Sequence, residues 1–454
     1  MSTSALLLIA LASVVLLLLL VIKAKAHPFV ALLIVSLLVA FATGIPADKI
    51  ITTIEKGMGG LLGHIASIII LGSMLGVLIE ISGGAESLAK TLTAVLGSKR
   101  TIAALTIVAF ILGTPVFFEV GFIIIIPLIY GFSKVAHVSP LKFGLPMAGV
   151  MLTVHVALPT HPGAAAAAGI LHSDVGWLML AGIGVSVVVG IVGYFVARFI
   201  NRRHYHLSIN VLEQQQTAEV PDLSVNAQQT RLPPPNALVI GGLIVVPIML
   251  IVSGTLCQAL LLPESAVRQL MTVIGTPPVA LLISLGLASW TLGIRRRMSL
   301  KKLGEVTGSA IPSSADVILV AGAGGAFGGV LVASGIGNAL AEALETIHLP
   351  LMPAAFLLSL VLRASQGSAT VAILTTSGLL SQAVIGLDPI QLVLVTLATC
   401  FGSLGLSHVN DAGFWVVTRY LGLSVPDGLK TWTVLTTIMG VTGFLITWLL
   451  WFVL

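Results

Sequence analysis

The feature that most limits this chain is a succession of apolar segments, each about as long as a bilayer is thick. A helix needs ~20 apolar residues to cross the ~30 Å hydrocarbon core. Ten stretches qualify: 4–22, 28–44, 58–80, 140–171, 176–200, 236–256, 271–293, 312–333, 388–421 and 429–453. With no water to satisfy the backbone, such segments are helical. Composition points the same way, with 57% hydrophobic and 9% charged residues, where a soluble domain carries about 25% charged. An all-α polytopic membrane protein is expected.

The ends and charges of these segments set an orientation. Lys23 and Lys25 follow the segment 4–22 instead of preceding it, the reverse of a secretory signal. It reads as a retained first span with its N-terminus outside. With the long polar loop 201–235 in the cytoplasm, Lys49, Lys56 and Arg268 fall outside and Arg363 falls within the membrane; the rest of the 22 basic residues lie inside. That satisfies the positive-inside rule. The basic balance therefore reports topology, and no nucleic-acid partner is expected. Arg295-Arg296-Arg297 reads as a topology anchor. Cys257 and Cys400, far apart in apolar runs, suggest neither a disulfide framework nor a metal site.

Two spans are overlong and interrupted. The first, 140–171, breaks at Leu158-Pro159-Thr160-His161-Pro162-Gly163; the second, 388–421, breaks at Ser407-His408-Val409-Asn410-Asp411-Ala412-Gly413. Two further stretches, 101–133 and 351–386, are split near the middle. Their first arms of about 12 residues make roughly 18 Å of helix, half a bilayer. Both read as re-entrant hairpins, with tips at Gly113-Thr114-Pro115 and at Arg363-Ala364-Ser365-Gln366-Gly367-Ser368. Short interfacial helices are expected at 84–96 and 336–347.

The two halves repeat. Residues 103–119 align with 355–371 at a constant offset of 252, and Gly76–Gly83 resembles Gly329–Gly335 with one residue deleted. Ser139-Pro140 matches Asp388-Pro389, and Gly163 matches Gly413. The expected organisation is a first repeat over 1–200, a mobile cytoplasmic linker over 201–235 and a second repeat over 236–454. The hairpin mouths face opposite sides, so the repeat is inverted, an arrangement that places substrate near the midplane at broken helices.

Ionisable groups inside a membrane are costly and usually functional, and here they gather at the four breaks. Arg363 can hold a carboxylate by two parallel hydrogen bonds. Ser365, Gln366, Gly367 and Ser368 open the second arm, whose free N–H groups and positive helix end suit an anion. The competing reading makes Arg363 a structural bridge to Asp411 or Glu119. A carboxyl such as Glu119 in apolar surroundings can carry a proton near neutral pH, or can serve as a structural pair. His161, His408, Asn410 and Asp411 could relay protons or meet substrate hydroxyls. His155 reads better as a hydrogen-bonded helix contact, and Glu80 as a solvated or scaffold group. No phosphate-cradling loop, zinc spacing or potassium-filter signature is present, and no Ser–His spacing offers a catalytic pair. No cofactor is expected.

Four segments resemble signatures of the gluconate:proton symporter (gluconate permease) family: Gly113–Phe122, Leu158–Gly163, Arg363–Ala372 and Ser407–Trp415. The resemblance covers nearly the whole chain. It implies a multi-pass permease of the bacterial inner membrane, importing gluconate or a related sugar acid with protons. It also implies a dimer with an elevator-like transport domain. The resemblance implies a site lined by the tip around Arg363–Thr370 with His161, Asn410 and Asp411; with the reading of the breaks, the candidate substrate contacts are Arg363, Ser365, Gln366, Gly367, Ser368, Thr370, Thr114, Thr160, Gly163 and Asn410, and the proton candidates are Glu119, His161, Asp411 and His408. Family members often carry Pro where this chain has Ala164, so a C4 sugar acid suits it as well as gluconate. The alternatives are another small anion or zwitterion, such as D-serine or a dicarboxylate, possibly sodium-coupled, and, from a different class, a channel or membrane enzyme.

Overall fold

The computed structural model describes residues 1–97, 100–209, 211, 213, 235–346, 349–409 and 411–454. The side chains of Ser365 and Gln366, among others within helices, and the whole of Asn410 lie outside the described residues. Every regular element among the described residues is helical. The first half runs α1 (Thr3–Leu18), α2 (Pro28–Ala42), α3 (Ala47–Ile81), α4 (Gly84–Leu96), α5 (Thr101–Gly113), α6 (Phe118–Val135), α7 (Leu141–Ala157), α8 (Pro162–Leu171) and α9 (Val175–Ile200). The second runs α10 (Ala237–Leu260), α11 (Ala266–Ile274), α12 (Pro277–Ala288, continuing to Arg296), α13 (Leu300–Gly308), α14 (Ala310–Ala333) and α15 (Ile336–Thr346). It continues with α16 (Leu351–Gln366), α17 (Ala369–Leu380), α18 (Pro389–Leu404), α19 (Ala412–Tyr420), α20 (Val425–Gly428) and α21 (Val434–Val453), the last two joined by a π-turn.

Both halves follow one plan: two spans, a long helix, an interfacial helix, a hairpin, a broken span and a closing span. Contacts are reciprocal between them. In each half the hairpin's first arm packs on the broken span (α5 on α7, α16 on α18), and the broken span packs on the closing helix (α7 on α9, α18 on α21). Across the halves, α2 packs on α14 while α12 packs on α3. The equivalent helices α3 and α14 run antiparallel. Gly57 faces Gly325 and Gly329, Leu62 faces Gly322, and the Ser314 hydroxyl donates to Ser73 Oγ at 2.9 Å. Equivalent helices that run in opposite directions make the repeat an inverted one.

Burial follows the layering. Helices α7 and α18 are buried along nearly their whole length. Helices α1, α10, α12 and α21 leave Leu8, Leu11, Leu238, Leu260, Leu282 and Leu449 exposed. An apolar helix with one half on protein and the other on lipid has this pattern. Among the described residues, six helical stretches are long and apolar enough to cross a membrane, and the remaining apolar helices are shorter.

Several boundaries differ from expectation for physical reasons. The third span starts at Ala47 instead of 58 and runs 35 residues, about 52 Å of helix. Its first turns carry Asp48, Lys49, Glu55 and Lys56, charges that hide a helix from a hydropathy reading and that suit a segment projecting beyond the ~30 Å core. The expected span 271–293 is two helices, because Pro277 and Pro278 occupy the start of α12, where a missing N–H costs nothing. The span expected at 312–333 starts at Ala310 behind the separate helix α13. The first arm of the second hairpin runs 16 residues, not about 12. Arg363 is thus inside a helix, and only Gly367 and Ser368 form the tip. Cys257 and Cys400 are free thiols. Of the expected linker, residues 210, 212 and 214–234 lie outside the described residues. Its start is tied down by Ser208 N–H donating to Gly422 O (2.9 Å), and its end by Ser87 Oγ donating to Pro235 O (2.5 Å).

The α3–α14 seam depends on glycine. A Cβ on Gly57 would stand 2.5 Å from Gly325 O, whereas one on Gly59 would meet nothing within 4 Å. Gly57→Leu should therefore lower stability by about 1–3 kcal/mol or more, read as a fall in melting temperature of the purified protein. Gly59→Leu should leave it unchanged.

Candidate functional site

Four helix interruptions meet at one place. Each has a local cause. Pro115 cannot continue α5, and Pro162 fits the first position of α8. Gly367 ends α16 at φ 79°, a left-handed conformation that glycine adopts without Cβ strain. Asp411 caps α19 by accepting from Gly413 N–H at 3.0 Å.

The contacts close a ring. The broken span of each half reaches the first arm of its own hairpin. His161 Nε2 donates to Gly113 O (2.8 Å), and His408 Nε2 donates to Ala364 O (2.7 Å). A carbonyl can only accept, so these bonds place the proton on Nε2 of each ring. They also satisfy carbonyls at helix C-termini that the helix cannot pair itself. Each broken span then crosses to the other half's hairpin. A Cβ on Gly163 would touch Ile373 and Thr370; one on Gly413 would touch Phe118. The offset of 252 that relates the hairpins takes Phe118 to Thr370, so these crossings are the same contact made twice.

The charges break this symmetry. Arg363 is 2% exposed and Asp411 4% exposed. Arg363 Nη2 donates to Asp411 Oδ2 at 2.6 Å, and Nη1 donates to Gly367 O at 2.7 Å. The ion-pair reading of Arg363 that the sequence left open is thus realised with Asp411. Ser407 donates to Asp411 Oδ2, Trp432 Nε1–H donates to Ser407 Oγ at 2.7 Å, and the Trp432 ring stacks on Phe118 at 5.8 Å. Among the described residues, Arg363 Nε is buried without a partner. The Nε–Nη2 edge of a guanidinium takes a carboxylate side-on by two parallel bonds, and here it carries one. At the adjoining helix start, the Ser368 hydroxyl caps Val371 N–H at 3.3 Å.

The remaining predicted residues fall around this centre. Glu119, half-buried in the first turn of α6, lies within electrostatic reach of both Asp411 and Arg363. Among the described residues no ion pair engages it. Thr160 Oγ1 is buried with no partner, while Thr114 is buried and donates to Phe110 O at 3.3 Å. Thr370 is half-buried against Gly163. Ser365, Gln366 and Asn410, expected to line the site, lie outside the described residues in the sense given above.

The sequence reading passed over three contributors. His155 was read as a hydrogen-bonded helix contact, but its Nδ1 is buried and unpartnered, and its ring stands 4.6 Å from that of His161. It projects from the last turn of α7, just before the break, and only the packing of the helices sets its ring against His161. Ser407 was seen only as part of a motif, and Trp432 sits in a different span. Ser407 stands four residues before Asp411 in the same break, a nearness that spacing does show, whereas no spacing rule brings Trp432 to it.

Removing one member of a buried pair leaves the other charge uncompensated, at about 3–5 kcal/mol, whereas replacing both with apolar groups is often neutral. Arg363→Met alone and Asp411→Leu alone should each lower thermal stability strongly. The double variant should regain most of it.

Comparison with known proteins agrees with this architecture. Residues 5–453 match the family model described as GntP family permease. The chain is 62% identical to the inner membrane permease YgbN of Escherichia coli K12, over 100% of both chains. It is 38% identical to a gluconate permease of Bacillus licheniformis, over 98% of this chain and 99% of that one. Among solved structures, the Alcanivorax borkumensis YdaH transporter superposes with a TM-score of 0.58 at 13% identity, covering 92% of this chain and 98% of its own. That likeness concerns the fold alone.

Proposed function

This chain belongs to the GntP family of permeases, and from that premise we propose that it imports gluconate or a closely related sugar acid, one proton per anion, across the bacterial inner membrane. Membership makes it a multi-pass transporter and not an enzyme. The sugar-acid class is supported by the gluconate permease among its relatives, and the inner membrane by the printed name of the 62% identical protein.

The observation that carries the reading is the half-used guanidinium edge of Arg363. A substrate carboxylate takes Nε and Nη2 together and displaces the single bond from Asp411. The exchange replaces one anion on Arg363 by another, so the released Asp411 carboxylate would be a buried charge without a counter-ion. Such a charge costs several kcal/mol in a protein interior, and a proton removes it. Anion binding and proton binding are coupled because both act on Asp411. To the Thr160 hydroxyl, unpartnered among the described residues, and to Thr370 we assign the substrate hydroxyls. His161 and His408, each donating to a helix-end carbonyl, position the breaks. Dimerisation through the scaffold and an elevator-like movement of the hairpins and broken spans belong to the same proposal and rest on the family resemblance.

A second reading has Glu119 as the proton carrier, favoured by its lack of an ion pair beside the Arg363–Asp411 charges. Reconstituted vesicles separate the two. An inward proton gradient should drive labelled gluconate accumulation in the native chain. Asp411→Asn should keep gluconate exchange at equal concentrations but lose accumulation driven by the gradient, and Glu119→Gln should keep both. The reverse pattern assigns the proton to Glu119. Gradient-driven uptake of D-serine or a dicarboxylate in place of gluconate would overturn the substrate class.

A further inference from the structure

Away from the midplane, a crevice of about 880 Å³ opens where the turn between α6 and α7 meets the end of α9. Its walls carry Lys142, Arg198, Arg202 and Arg203, with no Asp or Glu among the lining residues. None of these four cations is in an ion pair among the described residues. Two are held in place by aromatic faces, Arg198 over Tyr194 and Arg202 over Phe199, each at 5.7 Å. The walls are joined by Asn201 Nδ2 donating to Leu141 O at 3.3 Å. Asp427 acts on Tyr205 in the wall but pairs with none of the four among the described residues; like charges gathered in this way repel one another, so the crevice gains from an anion that fills it.

A second feature says what kind of anion. Val188, Ile191, Phe195 and Phe199 recur every three or four residues along α9, and all four are exposed. They form an apolar stripe on one helix face that leads up to the crevice. Cations at the top and hydrocarbon along the approach match a phospholipid: phosphate above, acyl chains below. The matching corner at the other membrane face, where α21 ends beside the start of α18, has Trp448, Trp451 and Leu387 in place of the arginines. The repeat therefore supplies the corner twice and the charge once.

We infer that this crevice is a binding site for an anionic phospholipid of the cytoplasmic leaflet, with a two-phosphate headgroup such as cardiolipin preferred over a single phosphate. Four cations spread over this volume exceed what one phosphate neutralises, and basic pockets between spans on this side of a membrane suit such headgroups. The site borders the joint between the first hairpin and its broken span, so the lipid holds that joint against α9.

The test uses the full chain, purified and placed in neutral phosphatidylcholine nanodiscs. Cardiolipin, phosphatidylglycerol, inorganic phosphate and gluconate are then titrated separately, with bound lipid read by native mass spectrometry and stability by thermal unfolding. Cardiolipin should bind and raise the melting temperature, phosphatidylglycerol should bind more weakly, and phosphate and gluconate should do neither. The double substitution Arg202→Gln/Arg203→Gln should weaken cardiolipin binding about thirtyfold and leave the melting temperature in phosphatidylcholine unchanged. A control pair far from the crevice, Lys301→Gln/Lys302→Gln, should not weaken it. Stabilisation by inorganic phosphate equal to that by cardiolipin would make this a free-anion site and overturn the lipid assignment. Stabilisation by gluconate would make it a substrate vestibule, and cardiolipin binding unchanged in the double variant would place the lipid elsewhere.

Discussion

The ion pair between Arg363 and Asp411 is the point on which the rest of the structure turns. Two charges at 2% and 4% exposure are expensive in a protein interior unless they are paired and hydrogen-bonded. Their bonding draws on several neighbouring elements and leaves Arg363 Nε over. The end of α16 accepts from the guanidinium through Gly367; the start of α19 donates to the carboxylate through Gly413; the Ser407 hydroxyl, held from behind by the Trp432 indole, donates to the carboxylate as well. The interruptions at the tip of the second hairpin and in the second broken span expose the backbone groups that this charged pair needs.

The inverted repeat provides the frame for this pair without dictating it. His161 to Gly113 and His408 to Ala364 dock each broken span on its own hairpin, and Gly163 to Thr370 and Gly413 to Phe118 dock it on the other. On this symmetric ring the charges are one-sided. Where the second half places Asp411, the first places His161, and where the second hairpin carries Arg363, the first has an aliphatic residue, Ile111. The single guanidinium on this symmetric ring is what the proposal of a substrate with one carboxylate, and of one proton on Asp411, is built on. Helices α3 and α14 meet through glycine, with Gly57 and Gly325 too close for a larger residue to fit without a shift.

Much of this was legible in the sequence because it is written in one dimension. Helix interruptions carry Pro, Gly and polar residues in otherwise apolar runs, and the hairpin tips and broken spans fall where those residues stand. The internal offset of 252 marked the repeat, and that same offset pairs Phe118 with Thr370 in space. What the sequence hid was of two kinds. Charge at a helix end reads as loop, so the first turns of α3, with Asp48, Lys49, Glu55 and Lys56, were assigned outside it. Contacts between distant segments have no spacing at all, so Trp432 bonding to Ser407 and His155 lying against His161 emerge only when the helices are packed. The choice between a structural bridge and an anion site at Arg363 was also open in sequence. The geometry joins the two readings, since the bridge occupies the edge that a substrate carboxylate would use.

If Asp411 gives up its guanidinium to the substrate, an anion and a proton bind together. Calorimetric titration of the purified protein with gluconate, repeated in buffers of differing ionisation enthalpy, counts the protons taken up on binding. The expected result is close to one proton per anion in the native chain and close to none in Asp411→Asn. Binding of gluconate by the native chain with no proton uptake would contradict it.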